Sequence, residues 1–242
     1  MKLIAARAHL AGARAVFLSL ASALMLGACS LPLPDKPVRP EPYDLGPPLP
    51  LAASTTATGP ALAMDSVEAN AAIDGTSVVY RLLYSGDGQQ PRPYAKARWS
   101  MSPPQLVSQR LREAFAAQRP VVEVGAGLAP VELRTQLDEF AQVFSAPGAS
   151  EGVVRMRLTL IATGAQATRL LGQHTVVVRK PAPTPDAAGG VSALRAATDD
   201  AVQQAVAWVQ SVPLPAPAGR CCSPRCSAPG CPRSPPRRPP RC

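Results

Sequence analysis

Few residues of this 242-residue chain are equipped for catalysis, and their spacing argues against it. There are two histidines, His9 near the start and His174 in the predicted strand segment Gln173-His174-Thr175. No serine nucleophile motif and no evident carboxylate partner accompany His174, so a structural or strand-edge histidine outweighs a general base. Zinc needs three or four ligands, and residues 30–220 offer one histidine and no cysteine. Five of the six cysteines, Cys221, Cys222, Cys226, Cys231 and Cys242, crowd a C-terminal tail at spacings that fit no standard zinc pattern. No catalytic residue, metal or cofactor is expected. The sixth, Cys29, follows an apolar run and two small residues, Gly27 and Ala28, a setting in which a thiolate accepts a covalent group.

The elements before Cys29 explain that chemistry. Lys2, Arg7 and Arg14 precede an apolar run over residues 15–26, the order of an export signal. The run is shorter than the roughly 20 residues that cross a bilayer as a helix, and no later stretch comes close to that length. Leu26-Gly27-Ala28-Cys29 resembles the lipobox of bacterial lipoprotein precursors, which makes residues 1–28 a cleavable signal peptide and Cys29 a lipidated anchor. At about 0.8 kcal/mol per buried CH₂, two or more acyl chains hold a protein on a membrane essentially permanently.

The formal charge of +9 dissolves when it is divided by segment. Residues 1–28 carry three basic groups and residues 220–242 carry six, neither with an acid, which leaves 16 basic against 16 acidic residues between them. A neutral body gives no reason to expect nucleic acid as a partner. With no cysteine in residues 30–220, that body depends on its apolar core.

Pro32, Pro34, Pro37, Pro40 and Pro42 make residues 29–42 an anchor and semi-rigid spacer. Residues 43–212 form the domain, in which Tyr43-Asp44-Leu45 can open the first strand. Segments 61–67 and 77–84 read as strands, the latter with Val78, Tyr80, Leu82 and Tyr84 in phase. Ser102 and Gln105 frame a capping box around Pro103-Pro104. The helix they start places Val107, Leu111, Ala114 and Phe115 on one face, opposite Arg110 and Arg112. Residues 121–124, 130–145, the alternating Val154 to Leu160 and 170–179 follow as an antiparallel meander. In the second of these, Val131, Leu133, Thr135 and Leu137 are out of phase with Phe140 and Phe144, which calls for a bulge near Asp138-Glu139. After Gly189-Gly190 a second amphipathic helix runs until Pro213. The expected class is α+β, an antiparallel sheet with two helices packed on one face. The Pro, Arg and Cys-rich tail, residues 213–242, is what GC-rich DNA encodes out of frame and is expected to be disordered.

Tyr80-Arg81 and Tyr94-Ala95-Lys96-Ala97-Arg98-Trp99 remain as a candidate partner-contact set: Tyr80, Arg81, Tyr94, Arg98 and Trp99. Packing of large rings with polar tips competes with direct contact, since interfaces also favour Tyr, Trp and Arg. With Cys29, Pro103-Pro104, Leu137 through Phe140, Phe144 and Trp208, these residues resemble the ABC-type transport auxiliary lipoprotein family, the paraquat-inducible C-like lipoproteins, over about residues 41–212. The resemblance implies a non-enzymatic, periplasm-facing lipoprotein, usually on the outer membrane. Its implied partners are a mammalian-cell-entry (MCE) domain protein and an ABC permease and ATPase, in lipid or hydrophobic-solute trafficking between membranes. Ser30 fits outer-membrane sorting, because Asp there is the usual inner-membrane retention signal. A homo-oligomeric ring would suit a symmetric channel, although no residue requires one. A lipoprotein activator of a cell-wall synthase is the competing reading, since such activators also join an anchor, a spacer and a small α+β domain.

Overall fold

The computed structural model describes residues 39–47, 59–163 and 168–214. Cys29, the signal segment and the Cys-rich tail lie outside the described residues. The elements in chain order are β1 (Glu41–Tyr43), β2 (Leu62–Met64), β3 (Glu68–Ala69), β4 (Ser77–Leu82), a 3-10 turn (Leu83–Ser85) and β5 (Arg92–Trp99). Then come α1 (Pro103–Ala116), β6 (Val121–Glu123), β7 (Val131–Ala146), β8 (Ala149–Thr163), β9 (Thr168–Pro181) and α2 (Ala187–Ser211). The first strand begins two residues earlier than expected, at Glu41.

The α+β class holds, but the sheet is mixed rather than wholly antiparallel. β7 is its hub. On one edge it pairs with β8 along nearly its whole length, and β8 pairs in turn with β9, all antiparallel. On the other edge it meets β2, β3 and β4 in succession, each parallel to it, at Leu62↔Val131, Glu68↔Gln136 and Tyr80↔Gln142. The chain from residue 62 to residue 82 therefore runs beside β7 as one interrupted parallel edge. Parallel pairing needs a long crossover connection, and the segment through β5, α1 and β6 supplies it. β5 extends the sheet antiparallel to β4, β1 adds parallel to β5, and β6 lies parallel to β2.

The bulge is where the side-chain phases required it. Leu137 faces Met156 while Glu139 faces Arg155, so Asp138 is the extra residue. Leu133, Leu137 and Phe140 all reach the core because of it. The capping box of α1 also forms, with the Ser102 backbone N–H donating to Gln105 Oε1 at 3.2 Å.

Arg110 corrects the reading of α1. Its side chain is on the buried side, 4% exposed. At 100° per residue it flanks the apolar face, about 40° from Ala114 and about 60° from Val107, rather than lying opposite them. The start of α2 is corrected as well: the helix begins at Ala187, with Asp186 as its cap accepting from the Gly189 N–H at 2.8 Å. Gly189 and Gly190 belong to the first turn because the chain passes too close to its neighbours there for a side chain. A Cβ on Gly190 would lie 2.1 Å from Gln142 Oε1, and one on Gly189 2.1 Å from the Thr184 carbonyl. Gly152 of β8 is tighter still in kind, since its Cβ would meet the α2 backbone at Ala193 and Leu194, 2.6 Å away. Ala193, Ala197, Ala201 and Ala205 recur every fourth residue and are all buried, so a strip of methyl groups lies along this close approach. Val154, Met156, Leu158, Leu160, Leu194, Val202 and Val209 fill one core shared with α1.

Gly152→Val should force α2 off β8 and cost about 3 kcal/mol in urea unfolding, because backbone cannot yield as a side chain does. Gly148→Ala, at a hairpin tip with open space around it, is the control and should change stability by less than about 0.5 kcal/mol.

Candidate functional site

The structure divides the five candidate contact residues among three roles. Tyr80 and Tyr94 lie together, their ring centroids 4.6 Å apart, with Phe144 edge-on to Tyr80 at 5.9 Å. The Tyr94 hydroxyl donates to Gln142 Oε1 at 2.8 Å, and Gln142 Nε2 donates to Ser150 Oγ at 2.8 Å. Gln142 is fully buried beneath Gly190. The chain Tyr94–Gln142–Ser150 thus pins β5, β7 and β8 together under the first turn of α2. Burial pushes the Tyr94 hydroxyl up to about 12, with Tyr80 and Asp186 adding to the shift.

Arg81 braces a loop. Its guanidinium donates to the carbonyls of Gly88 and Gln89, each at 3.2 Å. Arg98 and Trp99 sit at the far end of β5 beside Pro42 and Tyr43 of β1. Trp99 is 1% exposed and packs edge-on to Phe140 at 5.4 Å, which is the packing alternative for this ring. Arg98 is exposed. As surface groups, only Arg98 and the outer parts of Tyr80, Tyr94 and Arg81 are accessible. His174 stacks on Trp208 of α2, with centroids 5.5 Å apart, so its ring packs the helix end against β9.

Sequence reasoning missed the most constrained charge. The Arg110 guanidinium donates to the carbonyls of Leu45, Gly46 and Pro47, the last two at 3.2 and 2.8 Å. Its Nε lies 3.3 Å from Asp199 of α2, and Glu113 is 3.9 Å away. Burial raises the Asp199 carboxyl above the ordinary carboxylate range, against the pull of Arg110 and then Arg195. Gly46, at φ +69°, lets residues 44–47, the strap that follows β1, turn against the Arg195 guanidinium. The signal was present in the helical period, which places residue 110 with Val107 and Ala114. Nothing in the local sequence identified the carbonyls it serves. Among the described residues no group of three or more His, Cys, Asp or Glu is placed to hold a metal ion. No helix described is long and apolar enough to cross a membrane.

Comparison with known proteins adds two findings. The family described as ABC-type transport auxiliary lipoprotein component matches residues 43–206. The fold is shared with the crystal structure of protein XCC0632 from Xanthomonas campestris, assigned to DUF330, at 16% identity and a TM-score of 0.55. That match covers 71% of this chain and 92% of the other. A second crystal structure, of an uncharacterized protein, matches at 12% identity and a TM-score of 0.54, covering 71% of this chain and 99% of its own. No curated protein matches.

Tyr94 binds its proton more tightly folded than unfolded, so its contribution to stability is intact below about pH 10 and is lost as pH rises toward 12. In a tyrosinate absorbance titration of the four tyrosines, one should ionise last, near 12, and Tyr94→Phe should remove that step. Ionisation of all four together near pH 10 would contradict the burial of this hydroxyl. Arg110→Met should lower stability by about 3 kcal/mol, because it removes the nearer partner of half-buried Asp199 and the donor to the buried Leu45 carbonyl. Arg110→Lys should recover little of that, since an ammonium cannot span the same acceptors. Full recovery would mean that a point charge suffices.

Proposed function

This chain belongs to the ABC-type transport auxiliary lipoprotein family, and we propose on that premise that it is the lipid-anchored, non-enzymatic component of an ABC transport system moving lipid or another hydrophobic solute between membranes. The observation that carries the reading is the family match over residues 43–206, which spans nearly all of the elements described. Three features support its finer parts. Leu26-Gly27-Ala28-Cys29 supplies the acceptor for lipid, and Ser30 after it favours the outer membrane over the inner. Among the described residues, the polar networks around Tyr94 and Arg110 join elements of the fold to one another, a structural use of their polar groups. The domain works by contact, holding a partner rather than transforming it. An MCE-domain protein and an ABC permease with its ATPase are the partners that suit this role. Arg98, exposed beside β1, is the accessible charge of the candidate contact set.

In-cell cross-linking of the native lipoprotein, followed by mass spectrometry of what co-purifies in detergent, tests the proposal. Recovery of an MCE-domain protein or ABC permease is expected, and recovery of cell-wall synthases alone would replace the transport role with synthase activation. Cys29→Ser should move most of the protein from the membrane pellet to the soluble periplasmic fraction, and continued sedimentation with membranes would remove the anchor from the account.

A further inference from the structure

Among the described residues β9 pairs with β8 and with no other strand, which makes it a free edge of the sheet. One bond fixes which of its backbone groups face away from β8. The Ala182 N–H donates to the Ser150 carbonyl at 2.8 Å, and these two residues continue the register that sets Pro181 opposite Glu151 and Lys180 opposite Gly152. Bonded and non-bonded pairs alternate along an antiparallel ladder. Lys180, Val178, Val176, His174 and Gly172 therefore turn their N–H and C=O groups toward β8, while Arg179, Val177, Thr175 and Gln173 turn theirs outward. All four of the latter are exposed residues. Pro181, which has no N–H to offer, falls at an outward position, where the ladder to β8 loses nothing by it.

Open edges are ordinarily blunted by a charge, a proline or a bulge, because their unpaired groups are a template for another strand. β9 carries such features only toward its ends. Leu171 is an extra residue between the pairs Leu160–Gly172 and Ile161–Leu170, and Pro181 closes the other end. Residues 172–180 run between them without interruption. Their cations, Arg179 and Lys180, are held within the molecule by Glu151 and Asp200, and the His174 ring is stacked on Trp208. The middle of the run is Thr175-Val176-Val177, β-branched residues that suit cross-strand pairs, with Val177 44% exposed.

We propose that β9 pairs antiparallel with β9 of a second copy of this chain, about a two-fold axis at Val176, so that the two sheets become one. The occupant follows from what this edge needs opposite it. β1 and β6, the strands at the other margin of the sheet, have three residues each, so a head-to-tail contact between copies would leave most of the outward groups of β9 unpaired. A second β9 offers the same uninterrupted run in reverse. Centring it on Val176 uses all of residues 172–180 and brings outward groups to outward groups: Thr175 exchanges backbone bonds with Val177 of the second copy, and Gln173 with Arg179 of the second copy. A pairing centred on His174 would instead set Arg169 opposite Arg179, like charges face to face. Each copy presents the same patch, so the contact is isologous and closes at two.

The test is sedimentation of the full-length protein in mild detergent under reducing conditions, joined to hydrogen–deuterium exchange read residue by residue. Val177→Pro removes one outward N–H and leaves the bonds to β8 in place, and Thr175→Lys sets a charge in the middle of the contact. The parent is expected as a dimer, and both variants as monomers that remain folded by circular dichroism. In the variants the amides of Gln173 and Arg179 should exchange about tenfold faster than in the parent, while those of His174, Val176 and Val178, bonded to β8, keep their protection. If Val177→Pro unfolds the domain, Thr175→Lys alone decides, since its side chain projects into solvent. A parent that sediments as a monomer with the Gln173, Thr175, Val177 and Arg179 amides unprotected overturns the proposal. A dimer that survives both substitutions places the contact elsewhere and overturns it as well, as does protection of these amides by a strand of a different, co-sedimenting protein.

Discussion

The fold turns on one contact between backbones, where α2 crosses β8 at Gly152. No side chain separates helix from strand there, since even a Cβ would sit 2.6 Å from Ala193 and Leu194. Helix and sheet normally stand apart by the thickness of their side chains. Closing that gap demands small residues along the helix, and Ala193, Ala197, Ala201 and Ala205 meet the demand. It also sets the helix start, because the first turn must clear Gln142 and Thr184, which only Gly190 and Gly189 allow. Gln142 can then be wholly buried, and its amide is satisfied by Tyr94 on one side and Ser150 on the other. A steric constraint on three glycines thus specifies the polar network beneath them. Leaving any buried member unpaired would cost more than its bond contributes.

The second constraint is electrostatic and ties the N-terminal strap to both helices. Arg110 reaches from α1 to three successive carbonyls after β1 and to Asp199 on α2. Burying such a charge is seldom a net gain over apolar packing, and its value is in fixing one arrangement. Here that arrangement is the path of residues 45–47 across the two helices.

Patterns that repeat were legible in the sequence. The alternation of Val154, Met156, Leu158 and Leu160 marked β8, the phase change between Leu137 and Phe140 called for a bulge near Asp138-Glu139, and Ser102 with Gln105 marked the start of α1. What failed to show depended on partners distant along the chain. The parallel pairing of β2, β3 and β4 with β7 is set by a crossover of some fifty residues, and short strands carry no sign of their direction. Gly189-Gly190 reads locally as a helix boundary, and only the nearness of Gln142 explains glycine inside the first turn. Trp99 and Arg98 are neighbours in sequence, but strand alternation sends one into the core and leaves the other exposed. The candidate contact set was found as a stretch of suitable residue types, while its division into packing, bracing and exposed groups needed the tertiary structure.

Hydrogen–deuterium exchange of the intact chain, followed peptide by peptide, bears most directly on whether α2 and the β7–β8 pair form one unit. If the Gly152 contact governs the fold, amides of residues 153–160 and residues 193–206 exchange together, slowest of all, and only through global unfolding. Exchange of α2 well ahead of β8 would show a helix that detaches on its own, and would contradict the dependence of the fold on that contact.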